Sequence, residues 1–323
     1  MRKDEDMSKK YDVLCLGGLV QDLLVQPVPR NLFDEDGVHV DSMKFSVGGD
    51  AANESTVMAK LGVKVILGTE AGDDETGRGL IRYMESQGVD CGNVVYRGEQ
   101  KTNIVMIEED GQRHFVVLSS NSRRFGEKED FDYGLLDEVR FISVGSIHIA
   151  RALDENLAVY FKAAQEKGVV TVADMVGNRY NQSLEDFKEI AKYTDYLIPS
   201  EIEAQELTGL DDPEAIAEEL LTWGPKGVII KLGGKGSYIR SAEGGCYVDA
   251  FPVKAIDTTG AGDNFAAGFV TALTRGWNFR QSAEFASAVG SLSTESIGAT
   301  TGVQSFEQVV DFMKKCGRYS IME

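Results

Sequence analysis

Residues 11–20 read YDVLCLGGLV, an apolar run whose last four positions include two glycines. From Val13 onward the run has no polar residue, which is typical of a strand that is buried on both faces, as in a parallel sheet covered by helices on either side. Asp22 follows two positions after the run. We therefore expect this strand to end at the carboxyl edge of a parallel sheet, with Asp22 beside that edge.

Short apolar runs of the same kind recur along the chain, at 63–67, 141–144, 169–173, 196–198 and 227–232. Most are separated by segments with helical periodicity, and the helices predicted in this way lie at 51–61, 79–87, 156–167, 213–221, 262–273, 279–296 and 306–316. Such alternation predicts an α/β fold with a doubly wound, mostly parallel sheet and helices on both faces. We interpret residues 1–323 as a single α/β domain.

Two stretches, at about 24–47 and 94–118, interrupt this alternation. Residues 101–118, KTNIVMIEEDGQRHFVVL, have the pattern of two strands joined by a Glu-Asp-Gly turn. We expect the two stretches to supply the strands of a small sheet that stands off the core. The apolar face of such a sheet needs a cover, so we predict a lid over the site that also joins two chains as a homodimer.

The composition describes an ordinary soluble protein, with 42% hydrophobic and 26% charged residues. The net charge of −19 argues against a nucleic-acid partner, because binding to the phosphate backbone requires clustered Lys and Arg. The N-terminal residues are charged, and no stretch has the roughly 20 apolar residues of a membrane span. We therefore expect a cytoplasmic protein without a membrane partner, in which helix N-termini and backbone amides would have to build any phosphate site.

Residues 255–269, AIDTTGAGDNFAAGF, set two threonines and two glycines directly before an alanine-rich helix. The amides of Gly260, Ala261 and Gly262 would lie where the helix dipole is positive, and the missing side chains leave room for phosphate oxygens. Asp263, in the first helical turn, can accept a proton from a substrate hydroxyl. A base beside an anion hole suits phosphoryl transfer. Alternatively, a threonine caps the helix and Asp263 only complements the dipole.

Residues 45–59, FSVGGDAANESTVMA, again place paired glycines before an alanine-rich helix. The amides of Gly48 and Gly49 and the side chain of Asn53 are groups that would hold hydroxyls of a small ligand. A plain strand-to-helix turn with Asp50 as the cap explains the same pattern. The spacing alone does not separate the two interpretations.

Residues 231–238, KLGGKGSY, follow an apolar run, and their three glycines would let an adenosine phosphate lie against the backbone. A glycine-rich hairpin is an equally good interpretation. Neither the P-loop pattern GxxxxGK followed by Ser or Thr nor the dinucleotide pattern GxGxxG occurs in the chain. Their absence disfavours a P-loop enzyme and a nicotinamide-dependent oxidoreductase.

Five motifs, GGLVQD, VGGDAAN, IPSEIEA, KLGGKGS and DTTGAGDNF, follow one another in this order over most of the chain. Together they resemble the ribokinase-like PfkB carbohydrate kinases, and the last motif is highly specific for that family. The resemblance implies a doubly wound α/β core with a small β lid. It also implies transfer of the γ-phosphate of ATP to a hydroxyl of a sugar or sugar-like small molecule.

The resemblance assigns roles at the acceptor and at the transferred phosphate. Asp263 matches the catalytic base, and the amides of residues 260–262 match the anion hole. Asp22 matches a carboxylate that binds sugar hydroxyls. The acceptor is held in the family by a segment that matches Gly48, Gly49 and Asn53.

On the nucleotide side, the resemblance implies ATP as the cofactor. Gly233 and Gly236, in the loop that begins at Lys231, match the glycine loop of the family. Gly298 belongs to residues 291–301, which lie where the family completes its adenine pocket. These residues are the expected contacts of ATP.

Mg²⁺ is a further implied cofactor. The N-x-x-E motif of the family, which is linked to Mg²⁺ and phosphate positioning, reads SEIE at residues 200–203. Ser200 replaces the asparagine, and its shorter side chain would reach the phosphates or the ion through water, of which Mg²⁺ usually keeps several in its shell. Glu203 is retained, and we expect it to serve Mg²⁺ through water. A helix cap is the structural alternative for this pair.

Many members of the family also bind a monovalent cation near the anion hole. Asp257, Thr259 and the region of Gly298 match that position, so K⁺ activation is a hypothesis for this chain. Equal rates in sodium-only and potassium buffers would count against it.

Several functions remain open at this point. A nucleoside kinase or a phosphosugar kinase of the same family is an alternative, and a phosphosugar would need cations such as Arg113, Arg123 and Arg124. A noncatalytic sugar-binding sensor is an alternative of a different class, for which the serine at position 200 is a weak indication. The intact Asp263 and its glycines favour an enzyme.

Overall fold

The computed structural model describes residues 9–109, 111–117, 125–178 and 180–319. Its strands are β1 (Val13–Leu16), β2 (Val20–Gln26), β3 (Ser42–Gly48), β4 (Val65–Ala71), β5 (Asp90–Tyr96), β6 (Thr102–Ile107), β7 (Arg113–Val116), β8 (Phe141–Ile147), β9 (Val170–Met175), β10 (Tyr196–Leu197), β11 (Gly227–Lys231), β12 (Ser237–Ser241) and β13 (Gly244–Val248). Its α-helices are α1 (Asp50–Lys60), α2 (Glu75–Ser86), α3 (Arg151–Glu166), α4 (Leu184–Ala191), α5 (Glu201–Thr208), α6 (Pro213–Thr222), α7 (Ala261–Thr274), α8 (Phe279–Ser293) and α9 (Phe306–Lys315). Within these residues, no helix combines the length and the apolar character needed to cross a bilayer.

The larger sheet has nine strands in the order β13-β12-β11-β10-β9-β8-β1-β4-β5. The pairs from β11 to β5 are parallel, and β12 and β13 join antiparallel at one edge. Side chains alternate between two buried layers: Val13 and Cys15 pack with α1, α7, α8 and α9, whereas Leu14 and Leu16 pack with α3, α4, α5 and α6. The predicted doubly wound α/β fold is confirmed.

The strand order reverses at β1, which lies between β4 and β8. Connections leave β1 toward β4 on one side and return to β8 on the other, so a crevice opens at the carboxyl ends of these strands. The N–H of Gly18, just after β1, donates to Asp50 Oδ1 over 2.7 Å at the start of α1. The strand predicted at 11–20 in fact ends at Leu16, and lid strand β2 begins at Val20, earlier than the predicted lid stretch. The loop 17–19 between them lies at the place where ligands bind in this fold class.

Element boundaries differ from the sequence-based expectation by a few residues, and some elements were not predicted. Helix α2 begins at Glu75 and not at 79, because the side chain of Asp74 accepts from the N–H of Gly77 and caps the helix there. Helix α3 likewise begins at Arg151 and not at 156. Helix α4 and strand β13 were not predicted, since they are short, whereas β12 and the start of α5 match the hairpin and helix-cap alternatives for residues 231–238 and 200–203.

A second sheet has four strands in the order β3-β2-β6-β7. It is the small lid sheet that the sequence predicts, and β6 and β7 form the expected antiparallel pair. The position of Asp110 in their turn lies outside the described residues. Residues 94–96, at one end of the predicted lid stretch, instead belong to β5 and pair with β4 in the larger sheet.

The two faces of the lid differ in character. Register places Asp22 in line with Asn103 on one face, which looks toward the core, and Arg113 lies on the same face through its pairing with Ile107. Residues of the opposite face are apolar and solvent-exposed, among them Met43, Phe45, Ile104 and Val116. The outer face is therefore uncovered in the single chain.

Candidate active site

The turn that precedes α7 is built around Gly260, whose backbone is left-handed at φ +71°. A Cβ at this position would lie 2.7 Å from the Cβ of Ala299, so only glycine fits. Among the described residues, the N–H groups of Gly260 and Gly262 have no protein acceptor. The N–H of Ala261, the third predicted anion-hole amide, donates to Thr258 O over 3.2 Å. Two amides at a helix N-terminus are thus available to an anion.

Asp263 lies in the first turn of α7 and is half-buried. Its Oδ2 accepts a hydrogen bond of 2.7 Å from Asn53 Nδ2 in α1, which packs against α7. Burial raises the pKa of Asp263 to about 6, and the charge of Asp50 adds to the rise, whereas Asn53 and the cation of Lys231 lower it. A carboxylate with this pKa can accept a proton from a hydroxyl near neutral pH.

Lys231, at the end of β11, brings a positive charge to the same place. Its ammonium group pairs with Asp174 Oδ2, and the two side chains are 14% and 4% exposed. Burial by itself lowers the pKa of Lys231, but the carboxylates of Asp174 and Glu203 more than offset this and raise it. A Cβ at Gly262 would lie 3.3 Å from the Lys231 ammonium, so the cation stands beside the anion-hole turn.

A cavity of about 750 Å³ opens between the ends of β9 and β11 and the first turns of α5 and α7. Its lining includes eight residues that the sequence marks, namely Ser200, Glu203, Lys231, Gly233, Gly236, Ala261, Gly262 and Asp263. Gly236 must be glycine, because its φ is +98° and a Cβ would lie 2.0 Å from Val248 O. The loop 233–236 joins β11 and β12, so the hairpin interpretation holds, and the same loop also forms part of the cavity wall.

Ser200 and Glu203 form a capping box at the start of α5. The N–H of Ser200 donates to Glu203 Oε2 over 2.7 Å, and the N–H of Glu203 donates to Ser200 Oγ over 3.4 Å. The pair therefore does cap a helix, which was the alternative to a role at Mg²⁺. Both residues also line the cavity. No group of three or more acidic, His or Cys side chains able to hold a metal occurs in the part of the chain that the structure describes. A site for Mg²⁺ does not require such a group, because this ion is usually held by only one or two carboxylates together with water and substrate phosphates.

On the acceptor side, the lid and α1 enclose the start of the crevice. Asp22 Oδ1 accepts a hydrogen bond of 2.9 Å from Asn103 Nδ2. A Cβ at Gly48 would lie 2.0 Å from Asp22 Oδ2, and one at Gly49 would lie 2.3 Å from Gly18 O. The paired glycines therefore let β3 and α1 approach the loop after β1 and the Asp22 carboxylate.

Two residues of this region, Asp174 and Asn103, were not assigned a role in it from the sequence, and Arg113 was named only as a cation for a phosphosugar. Asp174 follows directly after the apolar run 169–173, and a carboxylate at the carboxyl end of a buried strand was a readable signal. Asn103 lies within a lid strand, where the pattern singles out no polar residue. The role of Arg113 depends on the approach of the lid to the core, which no local pattern reveals.

The position predicted for a monovalent cation is occupied by protein groups. Asp257 Oδ1 accepts from Thr259 N–H over 3.0 Å, and Oδ2 accepts from Gly298 N–H over 2.8 Å. Arg113 Nη2 lies 2.8 Å from Asp257 Oδ1, and its Nη1 donates to the Thr259 hydroxyl. Gly298, which was predicted as an ATP contact, thus donates its N–H to the carboxylate of Asp257. Of the arginines proposed for a phosphosugar, Arg113 is paired in this way, and positions 123 and 124 lie outside the described residues.

Known proteins share this fold over nearly their whole length. The ribokinase of Thermotoga maritima superposes with a TM-score of 0.81 at 24% identity, over 94% of this chain and 99% of that one. The ribokinase of Arabidopsis thaliana, solved in complex with ribose and ATP, superposes with a TM-score of 0.80 at 23% identity, over 94% and 99%. The expected ribokinase-like architecture is therefore confirmed.

Sequence relatives are named kinases. The ATP-dependent 6-phosphofructokinase of Thermoanaerobacterium thermosaccharolyticum is 24% identical over 307 residues, 93% of each chain. The 5-dehydro-2-deoxygluconokinase of Geobacillus kaustophilus is 25% identical over 327 residues, 96% of each chain. A family model described as "pfkB family carbohydrate kinase" matches residues 10–305. With that match over almost the whole chain, the chain belongs to the pfkB family of carbohydrate kinases.

Proposed function

We propose that this kinase transfers the γ-phosphate of ATP to a hydroxyl of a sugar or sugar-like small molecule, with Asp263 as the general base. The hydrogen bond of 2.7 Å between Asn53 and Asp263 carries the proposal, because it joins the two motifs expected at the acceptor and at the transferred phosphate. The carboxylate would take the proton of the attacking hydroxyl, while the amides of Gly260 and Gly262 hold oxygens of the moving phosphoryl group.

The cavity of about 750 Å³ is the proposed site of ATP. Its volume lies within the usual range of small-molecule pockets, and glycine backbone at 233–236 forms part of its wall. Lys231 points its charge toward the anion-hole turn, where a phosphate chain would end. The Arabidopsis thaliana ribokinase, which has the same fold, was solved in complex with ribose and ATP, and this supports ATP as the nucleotide.

Mg²⁺ is the metal that this lining suits. Glu203 would hold it through water, with Ser200 near the same shell; Asp174 and the proposed base Asp263 are the other carboxylates of the cavity. A bound Mg²⁺ supplies positive charge that neutralises the phosphates during transfer. Glu203 is held in place by the cap of α5, where it accepts from the N–H of Ser200, and Asp174 is held in place by its ion pair with Lys231.

The acceptor would lie between Asp22, Gly48, Gly49 and Asn53 and the base. The two curated relatives carry the names of different acceptors, so a sugar, a sugar acid, a nucleoside and a phosphosugar all enter the test. Measuring ATP consumption over such a panel identifies the class, with Asp263→Asn as the blank. A chain that binds a sugar but never consumes ATP with any member of the panel would be the noncatalytic sensor.

The rate should fall at acid pH. Asp263 must be ionised to act as a base, and its pKa of about 6 means that kcat/KM should drop about tenfold per pH unit below that value. Because ionisation is harder in the folded chain than in the unfolded chain, this group also makes stability fall as pH rises from the ordinary pKa of 3.8 to about 6, and the effect levels off above that pH. Measurement of kcat/KM from pH 5 to pH 8 checks the first effect. A profile flat to pH 5 contradicts the assignment, and a smaller fall in stability with pH in Asp263→Asn checks the second effect.

The outer face of the lid should form the homodimer. Phe45 is 67% exposed and Met43 is 64% exposed, and they lie on one apolar surface with Ile104 and Val116. We expect the wild-type chain to sediment as a dimer, because two copies of this surface would cover each other. The Met43→Ser/Phe45→Ser double variant should sediment as a monomer. Val159→Ser, on the exposed side of α3, is the matched control and should leave the dimer intact; a monomeric wild type contradicts the idea.

A further inference from the structure

Arg113 is the residue through which the lid touches the loop before α7. It begins lid strand β7 on the face that looks toward the core, and its guanidinium reaches across to Asp257 and Thr259. The Nη2 to Oδ1 distance is 2.8 Å, and the side chains of Arg113 and Asp257 are only 22% and 6% exposed. This is a largely buried ion pair between two parts of the chain that are 144 residues apart, from 113 to 257.

The carboxylate of Asp257 ties together the two loops that support the anion hole. It accepts the N–H of Thr259, one residue before Gly260, and the N–H of Gly298, one residue before Ala299. Ala299 is also the residue against which Gly260 packs. The position of the Gly260 amide therefore depends on this carboxylate remaining in place and ionised.

A buried carboxylate of this kind needs a counter-charge. Burial raises the pKa of Asp257, but the N–H groups of Gly298 and Thr259 and the charge of Arg113 outweigh it, so the pKa lies below its ordinary value. A monovalent cation would need the same oxygen atoms that Arg113 uses, those of Asp257 and Thr259. Two cations at one carboxylate would repel each other. The residues as arranged here do not fit K⁺.

We propose that Arg113 is the built-in cation of the Asp257 loop, so that the transfer reaction needs no monovalent ion. Since Arg113 belongs to the lid, its charge reaches Asp257 only when the lid lies against the core. When the lid closes, Arg113 stabilises the Asp257 carboxylate and so fixes the position of the anion-hole turn. The same closure excludes water from the acceptor. Arg113 is a positioning residue in this scheme, and its effect on turnover rests on the proposed kinase function.

The first test compares chloride salts of K⁺, Na⁺ and tetramethylammonium at equal ionic strength. Wild-type kcat should be the same in all three. Arg113→Met should lose roughly a hundredfold in tetramethylammonium, the size of effect expected when a catalytic group is misplaced by about 1 Å. K⁺ or sub-denaturing guanidinium should restore part of that loss, and Arg113→Lys should retain more activity than Arg113→Met. Arg30→Met is the matched control, because Arg30 pairs with Glu108 inside the lid, and it should match the wild type.

The second test needs neither ATP nor an acceptor. The Tm of Arg113→Met should rise when K⁺ replaces tetramethylammonium, whereas the Tm of the wild type should not change. This measurement separates a failure of the inference from a failure to find a kinase substrate. Should Arg113→Met not fold, the wild-type salt series and Arg113→Lys decide the question.

Three results would overturn the inference: a wild-type chain that K⁺ activates strongly, an Arg113→Met variant that is as active as the wild type in tetramethylammonium, and a loss in Arg113→Met that neither K⁺ nor guanidinium relieves. The first would show that the ion displaces Arg113. In the second case Asp257 would need no cation from the lid. In the third case the contribution of Arg113 would be something other than its charge at Asp257.

Discussion

Asp263→Asn should lower kcat by about 10²- to 10⁴-fold, the range for loss of a general base. The asparagine keeps the shape of the side chain and a hydrogen-bond partner for Asn53, but it cannot take up the proton of the acceptor hydroxyl. The KM for ATP should change little, since the amides of the turn and Lys231 remain. Steady-state kinetics with the acceptor found in the panel give both numbers.

The fold should survive this substitution. Because burial raises the pKa of Asp263, the ionised carboxylate is held at a cost to stability, and the neutral amide should leave Tm equal or higher. Asp154→Asn is a matched control, since burial also raises the pKa of Asp154, which accepts the N–H of His148 and lies outside the cavity lining. It should keep kcat. Near-normal turnover in Asp263→Asn would refute the base assignment.

Lys231→Met should be the second most damaging change, with a loss of about 10²- to 10³-fold in kcat, as for removal of one preorganised group that stabilises transferring charge. It should also destabilise the chain by about 3–5 kcal/mol, because Asp174 would be left as an unpaired buried carboxylate. Urea unfolding measures the second effect. Steady-state kinetics at saturating ATP measure the first.

A double variant separates the two effects. Lys231→Met/Asp174→Asn removes both charges of the pair, so stability should return toward that of the wild type while turnover stays low. Lys226→Met is the matched control, because Lys226 pairs with the buried Asp195 over 2.6 Å just before the same strand but is 71% exposed. It should leave kcat unchanged. Recovery of activity in the double variant would mean that Lys231 acts only through the fold.

Local chemistry made much of the fold predictable. The run at 11–20 is apolar because both faces of β1 are buried, and the helices that alternate with the strands have the matching periodicity. The glycine turns at 48–49 and 260 were also predicted correctly. The structure shows why glycine stands at these three positions, since it leaves no space for a side chain at any of them. The short elements escaped prediction because a few residues give too little pattern to recognise.

Individual residues of the candidate site could be predicted from the sequence, but the contacts between them could not. The sequence alone marks Asp263, Asn53 and Lys231, since each stands in a glycine-rich turn at the end of a strand or at the start of a helix. Their roles in the reaction stay predictions until the variants are measured. The contacts among them, and the pairing of Lys231 with Asp174, were not predicted, because the residues of one strand do not show which residues of the neighbouring strand they meet.

By itself, the sequence determined the α/β class, the lid and the glycine turn with its carboxylate, because glycine conformation, strand burial and helix capping are decided within a few residues. Only the tertiary structure decided that Asn53 meets Asp263, that Lys231 pairs with Asp174, and that Arg113 reaches Asp257. Those contacts follow from the strand order and from the approach of the lid to the core. Both are global results of packing, which no short stretch of residues contains.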